Sequence, residues 1–236
     1  MKKILVVSAT VFEIQPFLDF LKNEMAVRKS PLFAQYAFDI LITGVGMVNT
    51  AMKVTKALAV DNFDFALNVG IAGVFPQKMA TPRTPAKYIF ELGQVVEVVS
   101  ERYGDLGVEE ATGAFTDMFE LGLMEANEMP FFDGKLLNNK PLSIPKMPIA
   151  DGLTVQKVHG YPLSIRGVLQ KYKDVQIETM EGAAFFQVCL SEGIAFAQIR
   201  AISNYVEARN RENWQIKEAI EQLNKTLVKL FVDHKI

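Results

Sequence analysis

Short runs rich in β-branched residues alternate along this chain with longer stretches whose apolar residues recur at helical spacing. That alternation constrains the fold more than any other feature, because strands separated by helices build an α/β protein on a buried sheet. The strand-like runs are 3–8, 38–43, 65–69, 94–100, 153–158, 175–179 and 195–202, and the helix-like stretches are 13–25, 48–60, 163–173, 181–191 and 211–232. Gly193 stands two residues past a helical pattern, where a left-handed C-terminal cap belongs. In the last stretch Ile216, Ile220, Leu223, Leu227 and Leu230 form a stripe that reads as core packing, with contact to a partner helix as the alternative.

With 236 residues, half of them hydrophobic, the chain can bury one large core, and no repeat or polar linker divides it, so residues 1–236 read as a single domain. Twenty-five basic residues against 27 acidic ones lack the basic surplus of a nucleic-acid binder. No apolar run reaches the length of a membrane span, and the apolar N-terminal run is too short for a signal core and reads as a first strand. The single cysteine, Cys189, excludes an internal disulfide, fits a reducing cytoplasm and reads as a core thiol. Two regions resist assignment. Residues 76–88 hold three prolines and read as an exposed loop, and 110–151 are aromatic-rich but weakly periodic. Phe115, Phe119, Phe131 and Phe132 there line a site, line an interface, or simply pack.

Three turns rich in small residues follow expected strands: Ser8-Ala9-Thr10, Thr43-Gly44-Val45-Gly46 and Asn68-Val69-Gly70-Ile71-Ala72-Gly73. Open α/β sheets bind ligands at the C-terminal ends of their strands, where small residues admit a ligand close to the backbone. The middle turn lacks the third glycine of a dinucleotide fingerprint and reads as an ordinary strand-to-helix turn. Glu13, opening the first helix, is either a carboxylate favoured by the helix dipole or a general base desolvated by Phe12, Ile14 and Phe17. Glu181 stands at the mouth of a strongly apolar helix, where a carboxylate needs a partner, and a sugar's vicinal hydroxyls supply one, with Met180 against the sugar face. Asn204, in the polar turn after the last strand, can donate and accept at once, which suits the carbonyl and protonated ring nitrogen of a 6-oxopurine. His159 lies in a turn after a strand, where a structural bond and a substrate contact are both open. Two histidines and one cysteine give no metal-ligand spacing, so neither a metal nor another cofactor is expected.

Taken together, Thr179-Met180-Glu181-Gly182-Ala183-Ala184 and Arg200-Ala201-Ile202-Ser203-Asn204 resemble the nucleoside phosphorylase and nucleosidase superfamily. Val7-Ser8-Ala9 with Glu13 is similar to the start of the methylthioadenosine/S-adenosylhomocysteine nucleosidases, whose matching glutamate activates water. Ser100–Gly107, Val158-His159-Gly160, Glu178–Phe186 and Ser203–Trp214 look like the futalosine hydrolase family of an alternative menaquinone pathway. The resemblance implies a three-layer α/β/α fold around a mixed, partly barrel-like sheet, and a homo-oligomer. It implies Glu13, Glu181 and Asn204 as catalytic residues, and Ser8, Ala72, Gly73, Val155, Met180, Ser203 and Arg209 as substrate-binding ones. Its substrates are a small nucleoside and water. Phosphorylases carry an arginine just before the Val-Gly of the glycine turn; Asn68 stands there, and the turn after the first strand has no basic residue, which favours hydrolysis. Adenine-specific members place an aspartate at the position of Asn204, so the carboxamide favours a hypoxanthine-type base. Arg209 and Arg211 are candidates for the benzoate of futalosine, or else belong to a solvated charged turn.

Overall fold

The computed structural model describes residues 1–26, 30–81, 84–142 and 144–234. The first strand shows why its run is apolar throughout. In β1 (Lys2–Ser8), Leu5 and Val7 enter one hydrophobic cluster and Ile4 and Val6 another, so both faces of the sheet are covered. α1 (Val11–Ala26) follows, then α2 (Pro31–Gln35), β2 (Tyr36–Ile42), α3 (Met47–Val60) and β3 (Phe65–Val74). The hairpin β4 (Pro76–Lys78) and β5 (Lys87–Tyr88) leads to β6 (Val95–Tyr103). Short strands come next: β7 (Gly107–Glu109), β8 (Phe115–Asp117), β9 (Phe131–Phe132) and β10 (Lys135–Leu137). The chain closes with β11 (Ile149–Thr154), α4 (Pro162–Lys171), β12 (Ile177–Thr179), α5 (Gly182–Ser191), β13 (Phe196–Tyr205) and α6 (Ile216–Lys229).

β2, β1 and β3 run parallel, and β3 is also flanked by β12 and β13. Because β13 pairs with β6 as well, the path β3–β12–β11–β6–β13 returns to β3 and closes a small barrel at one end of the sheet. The cluster containing Leu5, Val54, Phe185 and Phe186 packs α3 and α5 on one face, and that containing Ile4, Phe17, Leu223 and Leu227 packs α1 and α6 on the other. A third cluster, with Phe75, Leu153, Val155, Ile165 and Val206, seats α4. This is the three-layer α/β/α arrangement around a mixed, partly closed sheet.

Several boundaries differ from those read in the sequence. The glycine turn 68–73 is strand: β3 continues to Val74 because β13 pairs with it along its whole length. β13 likewise runs through Asn204 to Tyr205, with a bulge at Ser203 between the pairs Ile202–Ala72 and Asn204–Gly73. The strand expected at 153–158 lies at Ile149–Thr154, since its partners in β6 and β12 end there. The last helix is broken: a 3-10 turn spans Arg211–Asn213, and the Gln215 N–H is taken by the Ser203 carbonyl at 2.7 Å before α6 begins. Region 110–151 contains paired strands of two or three residues, too short to show a period, and 76–88 contains the β4–β5 hairpin, although Pro82 and Arg83 lie outside the described residues. Of the four phenylalanines, Phe131 is buried, Phe119 packs edge-on against it, and Phe132 is exposed. Cys189 is a buried free thiol.

Candidate active site

Parallel strands β1, β3 and β13 bring the turn after β1, the middle of β3 and the start of α5 together. Glu13, in the first turn of α1, is buried, and its Oε2 accepts from the Thr10 backbone N–H and hydroxyl, both at 2.9 Å, and from Ser8 Oγ at 3.4 Å. Its Oε1 accepts from the Ile71 N–H of β3 at 3.3 Å. Ile14 and Phe17 lie in the core beside it, but Phe12 points to solvent with 66% of its surface exposed and does not desolvate the carboxylate. A single bonded helix turn aims Phe12 and Ile14 to different sides.

Glu181 is the residue before α5. Its Oε1 accepts from the Gly46 N–H at 3.0 Å, a geometry set by Gly46 at φ 96°, in the left-handed region that glycine adopts freely. Burial pushes the Glu181 carboxyl above its ordinary range, and the nearby Arg200 and the Gly46 N–H oppose that shift. Arg200, on β13, is the largest fully buried side chain, with Nη2 3.7 Å from Glu181 Oε2. Among the described residues its Nε and Nη2 have no hydrogen-bond acceptor. Gly70 makes room for it, since a Cβ there would collide with Arg200 Nη1 and lie 2.9 Å from Glu13 Oε1. Glu13, Arg200 and Glu181 therefore surround one point beside Gly70. The sequence reading found no cation for this site, yet Arg200 is one. Its signal was a lone arginine inside an otherwise apolar strand, a position tolerated only beside carboxylates.

Three residues farther along β3, about 10 Å at strand rise, lies the second half of the site. Gly73 faces the Asn204 carboxamide, whose Oδ1 accepts from Ser203 Oγ at 2.8 Å and whose Nδ2 donates to the Tyr205 carbonyl at 3.2 Å. Ser203 Oγ also reaches the Ala72 carbonyl at 3.2 Å. The bulge at Ser203 turns the half-buried Asn204 out of the regular ladder. A narrow cleft opens here, bordered by Val158, His159, Asn204, Tyr205, Glu207, Arg209, Asn210 and Trp214. Both Arg209 and Arg211 lie over the Trp214 ring, 5.8 and 5.9 Å from its centroid. Met180 is half-buried and directly precedes Glu181. Val155, by contrast, has its side chain in the α4 cluster and its N–H on the Thr179 carbonyl at 3.0 Å. Asn68, at the position where phosphorylases carry arginine, donates to buried Gln198 Oε1 at 2.9 Å and stays inside the barrel. No group of three or more potential metal ligands occurs among the described residues, and no described helix is long and apolar enough to cross a membrane.

The site thus holds a buried pair of carboxylates bracketing an arginine, with a carboxamide three residues farther along β3. The chain belongs to the nucleoside phosphorylase and nucleosidase superfamily. Among its relatives is the futalosine hydrolase of Thermus thermophilus, 30% identical over 199 residues that cover 83% of this chain and 82% of that protein. A methylthioadenosine/S-adenosylhomocysteine nucleosidase of Maridesulfovibrio salexigens is 28% identical over 80% of this chain and 81% of its own length. The fold is shared with the adenine-bound crystal structure of the corresponding nucleosidase of Colwellia psychrerythraea, at a TM-score of 0.71 and 16% identity, covering 98% of this chain and 94% of that one. No protein-family model matches the chain. All these relatives are named as hydrolases or nucleosidases, in line with the N-glycosyl hydrolase expected from the sequence.

Proposed function

We propose that the chain hydrolyses the N-glycosidic bond of futalosine, releasing hypoxanthine and dehypoxanthine futalosine for menaquinone biosynthesis. The observation that carries this reading is the polarity of the site: acid and cation beside Gly70, a carboxamide beside Gly73. In this mechanism the bond between the anomeric carbon and the purine nitrogen stretches to an oxocarbenium-like sugar. Glu13 takes a proton from water as its oxygen bonds to the anomeric carbon. Glu181 accepts from the ribose hydroxyls while Met180 covers the sugar face, and Arg200, with Nη2 3.7 Å from Glu181, opposes protonation of that carboxylate. Asn204 gives its free N–H to O6 and accepts from a protonated N7 as the base leaves. Arg209, beside Trp214 at the cleft, takes the substrate carboxylate.

The site argues against phosphorolysis, because its cation is already bracketed by Glu13 and Glu181, which repel a phosphate dianion. Cleavage of methylthioadenosine is the second reading, favoured by the relatives named for that activity; Asn204 in place of an acid opposes it. The deciding assay incubates the protein with futalosine, inosine and methylthioadenosine, with and without phosphate. Phosphate-independent hypoxanthine release from futalosine is expected, and adenine release alone would overturn the reading. The reading also takes the chain as a homo-oligomer working in the cytoplasm. The surface for a second copy is formed by the exposed Phe12 of α1, Val45 and, on α3, Val48 and Met52, near the bond between the Gly44 N–H and the Ala9 carbonyl. Light scattering after gel filtration is expected to show a dimer or larger assembly, and Val48→Asp with Met52→Glu to give monomers.

A further inference from the structure

His159 lies outside the machinery above, yet its ring borders the same cleft as Asn204. Glu178, on β12 and almost wholly buried, holds it in place. The carboxylate accepts the His159 backbone N–H at 2.8 and 3.2 Å and bonds ring Nδ1 at 2.8 Å. An ionised carboxylate only accepts, so Nδ1 carries the proton, and in the neutral ring Nε2 presents a bare lone pair. Among the described residues Nε2 has no hydrogen-bond partner, and it is not sealed in the core. Two facts thus meet at one cleft, a tautomer fixed from behind and a free acceptor beside the carboxamide that faces the base.

We infer that His159, oriented by Glu178, is a specificity-determining residue that accepts a hydrogen bond from the N1–H of a 6-oxopurine. This deepens the proposed function and rests on its placement of the base beside Asn204. Hypoxanthine carries a proton on N1 and adenine a lone pair, so an Nε2 acceptor attracts the first and repels the second. Asn204 reads O6 and N7, while His159 reads the adjoining edge. The two residues together discriminate more strongly than either alone, because the wrong base leaves two polar groups unpaired.

The partner relation makes the inference testable by inversion. In Glu178→Gln the amide oxygen can keep the His159 backbone N–H while the NH2 donates to Nδ1, which moves the ring proton to Nε2 and turns the acceptor into a donor. The ratio of kcat/KM for inosine to that for adenosine is expected to fall at least tenfold in Glu178→Gln. His159→Phe is expected to lose about tenfold to a hundredfold on inosine with a smaller loss on adenosine. Variants with an unchanged thermal melt that slow both substrates equally would show His159 to be structural only and overturn the inference. Binding to the unmodified protein gives a readout independent of variant folding, because Trp214, the chain's single tryptophan, borders the cleft and reports occupancy by fluorescence. Hypoxanthine is expected to bind at least tenfold more tightly than 1-methylhypoxanthine, which lacks the N1 proton, and equal affinity overturns the inference. A wild-type protein that cleaves adenosine but neither inosine nor futalosine removes the proposed function itself. One that prefers the 6-oxopurine while both variants keep its ratio removes only the role of His159.

Discussion

Glu13 is held by donors from two directions, Thr10 on one oxygen and Ile71 on the other, so its carboxylate is fixed before substrate arrives. Glu13→Gln keeps the shape but cannot take a proton from water. Turnover of futalosine is expected to drop by about 10²- to 10⁴-fold with the Michaelis constant changed only a few-fold, and steady-state hypoxanthine release measures it; retained turnover rejects Glu13 as the base. Arg200 makes the opposite case, since its removal affects folding first. Arg200→Met leaves Glu181 and Glu13 buried beside each other without their cation. A loss of about 3–5 kcal/mol in urea unfolding is expected. Its sign with pH follows from Glu181, whose carboxyl is already raised by burial and is restrained by Arg200. A carboxyl raised further in the folded state loses stability as pH rises, so the deficit of the variant grows from acid towards neutral pH. Glu13, Glu181 and Asn204 were legible in the sequence because each polar group interrupts or terminates an apolar element. Arg200 was missed because its one local sign, a cation inside an eight-residue buried run of β13, names no role until its partners arrive from two other elements.

The start of α5 shows how neighbouring elements position Glu181. Free amides at a helix N-terminus need acceptors, and Glu181 itself does not cap them. The Ala183 N–H instead donates to Thr154 Oγ1 at 2.7 Å and the Gly182 N–H to Thr179 Oγ1 at 3.3 Å. These hydroxyls come from β11 and β12, so the cap is supplied across the barrel wall. Thr154→Val removes one acceptor and leaves the Ala183 amide buried and unpaired, which is expected to cost about 1–3 kcal/mol in thermal or urea unfolding. If Glu181 binds the ribose as proposed, Thr154→Val is also expected to raise the Michaelis constant more than it lowers turnover, since the helix start that carries this carboxylate loses a cap; full stability would reject the capping role. Helix α5 itself was read from the sequence within one residue, because its apolar residues are dense and its ends are marked. The strands around the site were read less well: β11 lies several residues earlier than expected, and β3 and β13 run on past glycines and polar residues. The ends of β3 and β13 are fixed by partners more than a hundred residues away, as in the pairing of Gly73 with Asn204, and no local period records that.

Closure of β3, β12, β11, β6 and β13 into a barrel gives the molecule an interior as well as two sheet faces, and one carboxylate sits in it. Glu101 of β6 is fully buried, accepting from Gln198 Nε2 at 2.7 Å, Thr154 Oγ1 at 2.8 Å and Thr179 Oγ1 at 3.2 Å. Asn68 fixes the Gln198 amide from behind, so the chain of bonds runs from β3 through β13 and β6 to the two threonines that cap α5. The alternation of strands and helices in the sequence announced an α/β sheet. Glu101, inside Ser100–Gly107, gave no sign of where it pointed, because only barrel closure turns that face of β6 inward. Burial dominates its electrostatics and pushes the carboxyl from about 4.5 up to about 7, with Gln198, Thr154, Arg200 and Thr179 opposing. In the unfolded chain the group ionises near the lower value, so between these two pH values the folded state holds a proton that the unfolded state has released. Stability from this group is therefore complete below about pH 4.5 and declines as pH rises to about 7, by on the order of 3 kcal/mol. Glu101→Gln carries no such proton. Its unfolding free energy, measured by urea titration at pH 5 and pH 8, is expected to lack this decline, so the variant gains on the wild type as pH rises; parallel curves for the two proteins would mean that Glu101 keeps an ordinary carboxylate titration inside the barrel.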